Sequence, residues 1–166
     1  YDAFKRRMAD TARAISLSGR DIGPLPPVVN PARRTACSRS LRSHCEQYHA
    51  ATYYLPWSDD HLRIIGKIER AVLGGELFAM ALPRGSGKTS LSETACEWAL
   101  FYGHRQYVAL IGADEELALK MLESIKVEIE TNALLLEDFP EVCFPVRAMQ
   151  GIHQRAGGQL YQGNQT

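Results

Sequence analysis

The chain has 166 residues and no net charge, with 45% hydrophobic and 23% charged side chains. That balance is ordinary for a globular protein, and the length is enough for one domain with a real core. No apolar run nears the about 20 residues that a membrane-spanning helix needs. The charge is nonetheless uneven: residues 1–70 hold twelve Lys and Arg against seven Asp and Glu, and residues 71–166 hold seven against twelve. The basic half could lean on nucleic acid, or the two halves could simply complement each other.

The chain opens on Tyr1 rather than Met, and no apolar leader core follows, so it reads as a fragment or a trimmed chain. Residues 1–18 fit a basic amphipathic helix with Phe4, Met8, Ala12 and Ile15 on one side. Pro24, Pro26, Pro27 and Pro31 then make residues 19–31 an extended connector. Asn30 and Pro31 are suited to cap and start a helix that runs to about Tyr48. Cys37, His44, Cys45 and His49 are grouped as zinc ligands can be. Yet Cys37, Leu41, Cys45 and Tyr48 step by four, four and three, which is one face of a helix, and buried cysteine behaves as a small hydrophobe. That face is read as core. Cys37, Cys45, Cys96 and Cys143 match no disulfide framework.

The aromatic segment Tyr53-Tyr54-Leu55-Pro56-Trp57 precedes a helix capped by Ser58 or Asp59, with Leu62, Ile65, Ile68, Glu69 and Val72 recurring along it. Gly74-Gly75 ends it. The apolar run Leu77–Leu82 is expected to be a strand, and it leads through Pro83 into Arg84-Gly85-Ser86-Gly87-Lys88-Thr89. Strand, glycine-rich loop and helix form the setting of a phosphate-binding P-loop. Glycines let amide N–H groups converge on phosphate oxygens, and the helix that starts near Gly87 adds its positive end. Lys88 would reach the outer phosphates, and the Thr89 hydroxyl would help hold Mg²⁺. The full G-x-x-x-x-G-K-[ST] pattern is broken, because Leu82 stands where the first glycine belongs. Arg84 reads as a fifth phosphate ligand.

The helix after the loop should reach about Tyr102, packing Leu91, Ala95, Trp98, Ala99 and Tyr102, with Gly103 as its stop. Tyr107–Ile111 is expected to be a second, fully buried strand. Asp114 should cap a long helix to about Thr131; Asn132 breaks it, and a short helix follows to near Pro140. Phe144-Pro145-Val146 and Gln159-Leu160-Tyr161 read as short edge strands. The fold expected from this order is α/β, a P-loop NTPase with a partial parallel sheet, its phosphate site at the strands' carboxyl ends. Residues 1–52 would be a helical extension and residues 53–166 the ATPase domain, incomplete at its C-terminal end. No acid follows an apolar strand directly, as Mg²⁺ and water activation require; Asp114 comes two residues late and reads as a cap.

Taken together, Pro56–His61, Ala81–Thr89, Tyr107–Ile111 with its following helix, and Glu137-Asp138-Phe139-Pro140 make the chain resemble a known family. It is similar to the N-terminal ATPase region of the large terminase subunit, the DNA-packaging motor protein of tailed bacteriophages. That family commonly lacks the first loop glycine and carries an arginine at the place of Arg84. The resemblance implies ATP and Mg²⁺ as cofactors, with Lys88 on the β and γ phosphates, Thr89 on the metal and Arg84 at the γ-phosphate. Gly85, Ser86 and Gly87 would complete the phosphate cradle, and His61 would contact adenine beside Trp57 or Tyr54. It further implies double-stranded DNA, a portal ring and a small terminase subunit as partners, a possible homo-oligomeric ring, no membrane, and work in the bacterial cytoplasm with transient docking on a procapsid. The family's catalytic glutamate, coupling motif and nuclease domain have no counterpart here, so the chain by itself is expected not to hydrolyse ATP. A helicase-like or recombination ATPase, or a nucleotide-binding scaffold without turnover, are the alternatives.

Overall fold

A computed structural model of the chain describes residues 6–11 and 22–148. Residues 6–11 are helical and exposed; Phe4, Ala12 and Ile15 of the expected N-terminal helix, and the expected strand Gln159–Tyr161, lie outside the described residues. Among the described residues, seven helices follow the proline-rich connector: α1 (Pro31–Cys37), α2 (Leu41–Tyr48), α3 (Asp59–Gly74), α4 (Lys88–Phe101), α5 (Glu115–Thr131), α6 (Ala133–Asp138) and α7 (Pro140–Ala148).

Most of these helices begin and end where local chemistry dictates. Asn30 caps α1 by accepting from Arg33 N–H, with Pro31 in the first turn. Ser58 and Asp114 do the same for α3 and α5. Gly75, at φ 81°, closes α3 in the left-handed conformation. The expected single helix from Pro31 to Tyr48 is instead two. Ser40 is extended and its hydroxyl accepts from Ser43 N–H, so it starts a second helix rather than continuing the first.

The α/β expectation is overturned: among the described residues there is no strand and no sheet. Residues 75–83 and 106–112 lie outside any helix, but neither apolar run finds a partner strand. Leu77 is 99% exposed, Tyr107 81% and Ile111 90%. Met80 and Leu82 pack half-buried against the core, and Val108 and Leu110 are half-buried too, but a strand also needs backbone hydrogen bonds to a neighbouring strand, which neither run has among the described residues. Phe144–Val146 is also not a strand. It lies in α7, with Pro145 inside the helix. Arg147, in the last turn, ties α7 down by donating to the carbonyls of Asn132 (2.9 Å) and Ile129 (3.3 Å).

The core is helix on helix. α2 packs against α1, α3 and α4; α5 packs against α4, α6 and α7. Leu41, Cys45, Ile64, Ile65, Ile68, Leu91, Ala95 and Trp98 form one apolar cluster under the glycine-rich loop. Cys37, Tyr48, Phe101, Leu135, Phe139 and Cys143 form a second. Cys37, Leu41, Cys45 and Tyr48 are therefore core, as their spacing predicts, and all four cysteines are free. Trp98 is fully buried and donates its indole N–H to the Cys37 carbonyl at 3.0 Å, which ties α4 to the end of α1.

Candidate functional site

The loop between Pro83 and Lys88 is a tight turn. Gly85 (φ 78°) and Gly87 (φ 72°) both take the left-handed conformation, which suits glycine and strains other residues. Gly87 is the N-cap of α4 and offers no side-chain acceptor, so the first amides of that helix are left uncapped. Ser86 closes the turn by donating its hydroxyl to the Pro83 carbonyl at 2.8 Å. Lys88 folds back over the loop: its ammonium donates to the carbonyls of Leu82 and Pro83, the latter at 3.0 Å. Arg84 and Thr89 are exposed, the first on the loop and the second in the first turn of α4. The positions expected to surround a phosphate, 84 to 89, are thus gathered in one turn. None of them is set in the mouth of a sheet.

His61 braces this turn. Its Nε2 lies 2.9 Å from the Ser86 carbonyl, which can only accept, so that nitrogen donates. Its Nδ1 lies 2.7 Å from the Ser58 hydroxyl, the N-cap of α3. The α3 N-terminus is thereby linked to the loop through one imidazole. The expected base contact of His61 takes second place to this link, because both ring nitrogens are already engaged.

An aromatic wall stands alongside. Tyr53 and Trp57 stack with centroids 5.2 Å apart, and Trp57 meets His61 edge-on at 5.9 Å. Trp57 is held by an indole N–H bond to Glu46 at 2.9 Å, and the Tyr53 hydroxyl by Thr94 at 2.8 Å. Between this wall and the loop is a cavity of about 260 Å³, bounded by Tyr53, Tyr54, Trp57, His61, Ser86 and Leu91. One side is the aromatic segment, and the other is the Gly85-Ser86-Gly87 turn with Ser90 and Leu91 of α4. Tyr54 is exposed at the rim.

The metal-holding half of the expected site is different. Thr89 supplies a hydroxyl, but Asp114 spends its carboxylate on Leu117 N–H at 2.8 Å, capping α5. The residues present fit a phosphate group better than a complete Mg²⁺ site.

A second group of polar residues lies buried below the aromatic wall. His44 is fully buried, and neither of its ring nitrogens has a hydrogen-bond partner. His49 sits beside it, with Nε2 3.1 Å from Glu97 and Nδ1 3.4 Å from Glu128. Burial, with His49 adding to it, holds His44 down at about 3, so its imidazole is neutral. Burial works against a charge on His49 too, but Glu128 and Glu97 outweigh it and carry His49 up to about 9. Burial pushes the Glu97 carboxyl up, with His49 opposing. The sequence reading weighed His44 and His49 only together with cysteines and passed over Glu97. The available signal was its position: Glu97 shares the inward face of α4 with Thr94, Trp98 and Phe101, where a carboxylate needs a partner.

No described helix is long and apolar enough to cross a membrane. No protein-family model, curated protein or solved structure matches the chain.

Proposed function

We propose that the Arg84–Thr89 turn and the aromatic cavity beside it bind ATP, as part of a terminase-like DNA-packaging motor. The observation that carries the nucleotide reading is the loop itself. Two left-handed glycines, an uncapped helix start and Lys88 fall within one turn, and a cavity walled by Tyr53 and Trp57 adjoins its glycines. Backbone amides and the end of α4 would hold the phosphates, and Lys88 would exchange its carbonyl partners for phosphate oxygens. Arg84 extends from the same turn toward solvent, where a γ-phosphate would project. The base would lie against Trp57 and Tyr53. Bound Mg²⁺ would neutralise the phosphate charge, with Thr89 contributing its hydroxyl. The motor role rests on the resemblance described above, with double-stranded DNA, a portal ring and a small subunit as partners.

A second reading, a nucleotide-binding scaffold without turnover, is favoured by one observation: the Asp114 carboxylate is occupied as a helix cap.

Thermal-shift titration of the full chain with ATP and ADP tests the binding claim. ATP at 100 times its dissociation constant should stabilise the parent by about 2.7 kcal/mol. Lys88→Ala should remove that shift while the unliganded chain still folds, losing only the lysine's bonds to the Leu82 and Pro83 carbonyls. Arg84→Ala should weaken the response to ATP more than to ADP. An identical ATP shift in parent and Lys88→Ala would remove the lysine from the site. Equal losses for both nucleotides would reject a γ-phosphate role for Arg84. Phosphate release measured on the same samples separates the motor from the scaffold.

A further inference from the structure

We propose that His44, His49 and Glu97 form a buried binding site for a divalent transition metal, with zinc the ion best suited to it. The three residues come from the middle of α2, its C-terminal cap and the inward face of α4. Their candidate ligand atoms all lie within 4.8 Å of one another, and all three residues are buried.

Three observations point to an ion rather than to an ordinary buried ion pair. First, a buried histidine normally bonds at least one ring nitrogen, and leaving such a group unpaired costs about 1–3 kcal/mol. His44 bonds neither. Second, His49 Nε2 and Glu97 Oε2 approach to 3.1 Å as an ion pair outside hydrogen-bond alignment, so a metal ion entering there displaces only the proton on Nε2. In a tetrahedral site with bonds of about 2.0–2.1 Å, neighbouring ligand atoms stand about 3.3–3.4 Å apart. The His49–Glu97 separation already suits that geometry, and His44 has to close by no more than about 1.5 Å from the outer limit of the cluster.

Third, the outer support is in place. A metal-bound histidine characteristically turns its other ring nitrogen to a carboxylate. His49 Nδ1 faces Glu128 at 3.4 Å. Glu128 in turn accepts from Asn132 Nδ2 at 3.0 Å, and the same amide donates to the Tyr48 carbonyl at 2.8 Å. Asn132 therefore fixes Glu128 against the end of α2, and Glu128 leaves Nε2 of His49 as the atom facing Glu97.

Two imidazoles and one carboxylate suit zinc, and cobalt as its spectroscopic substitute; such a set is poorly matched to Mg²⁺ or Ca²⁺, which take oxygen ligands. The site clamps α2 to α4 beneath the aromatic wall, and this role is independent of the nucleotide reading.

The test uses the untagged full chain, stripped with a chelator and titrated with Co²⁺ and then Zn²⁺. One equivalent of Co²⁺ should bind and give the visible absorption of a four-coordinate nitrogen–oxygen site, without a thiolate charge-transfer band. Zn²⁺ should bleach it, and Mg²⁺ should not. His44→Phe keeps a ring in the apolar pocket and should weaken Co²⁺ binding at least 100-fold; Glu97→Gln should do the same. Glu128→Gln should weaken it about 10-fold, the scale of a lost outer partner. Absence of stoichiometric metal, a thiolate band that moves the ion to cysteine, or unchanged affinity in either folded ligand variant would overturn the proposal. If one ligand variant fails to fold, the other and the parent's own spectrum decide.

Discussion

Asp138→Asn should be among the most damaging substitutions in this chain, although it changes only one atom. Asp138 is fully buried at the end of α6. Its Oδ2 accepts from Arg33 Nε at 2.6 Å and from the Tyr48 hydroxyl at 2.7 Å, and its Oδ1 accepts from Asn30 N–H at 3.1 Å. Every neighbour is thus a donor to it. An amide must turn its NH₂ toward one of those two sides, where it meets donors rather than acceptors. With the NH₂ on the Oδ2 side, Arg33, itself mostly covered, keeps one carboxylate partner, the half-exposed Glu137 at 2.8 Å. Removing one member of a buried pair costs about 3–5 kcal/mol; since Glu137 survives as a partner, about 3 kcal/mol is expected here. The pH dependence follows from the same bonds. Burial works against the Asp138 charge, but Arg33 and Tyr48 outweigh it and hold the carboxyl below its ordinary value. A carboxyl lowered on folding contributes stability above its unfolded value, about pH 4, and loses that contribution as the pH falls through the folded value. Urea unfolding followed by circular dichroism, from pH 7 down to pH 3, should show the loss at neutral pH and a flatter acid limb in the variant. A difference under about 0.5 kcal/mol at pH 7, or an acid limb parallel to that of the parent, would refute the account.

Trp98→Ala should cost about 4 kcal/mol in urea unfolding, because it opens a cavity between the two apolar clusters and orphans the Cys37 carbonyl; a cost below about 1 kcal/mol would show that the site collapses. Asn132→Ala removes the acceptor for Leu134 and Leu135 N–H and the donor to Tyr48 and Glu128, and should cost about 2 kcal/mol by the same measurement. Gly87→Ala meets no atom within 4 Å, so its cost is backbone strain alone, about 1–2 kcal/mol at φ 72°. Nucleotide binding in that variant should fall further than stability does, read by the ATP thermal shift; equal ATP shifts in parent and variant would detach the glycine from the phosphate cradle.

What the sequence made legible was local. Asn30, Ser58 and Asp114 each announce a helix start because a side-chain oxygen three residues ahead of an N–H is a short-range event. Gly75 and Gly103 announce ends in the same way, through φ angles that β-carbons resist. The turn at 84–89 belongs to this class: its glycines and its helix start are neighbours in sequence. The ties that fix the tertiary arrangement were not legible. Arg33 meets Asp138 across more than a hundred residues, and no periodicity marks either partner. The His44–Glu97 cluster was half visible, since a histidine on a buried helix face signals a need without naming who meets it.

The strands failed for a related reason, and the failure constrains the site. Leu77–Leu82 and Tyr107–Ile111 carry the composition of buried strands, but composition records only that a residue tolerates a pleated, covered surface. Whether a strand forms depends on a neighbour to accept its hydrogen bonds, and neither run has one among the described residues. The loop keeps its shape regardless. It is held by the Ser86 hydroxyl on the Pro83 carbonyl, by His61 on the Ser86 carbonyl, and by the Lys88 ammonium on the Pro83 and Leu82 carbonyls. Two of those three braces come from within the turn, and the third comes from α3, whose own start is fixed by Ser58. The turn is therefore supported from the side by helix α3 and from within by its own residues. Its Lys88 must leave carbonyl oxygens to meet a phosphate, so the affinity of the proposed site is set by a competition between two oxygen partners for one ammonium.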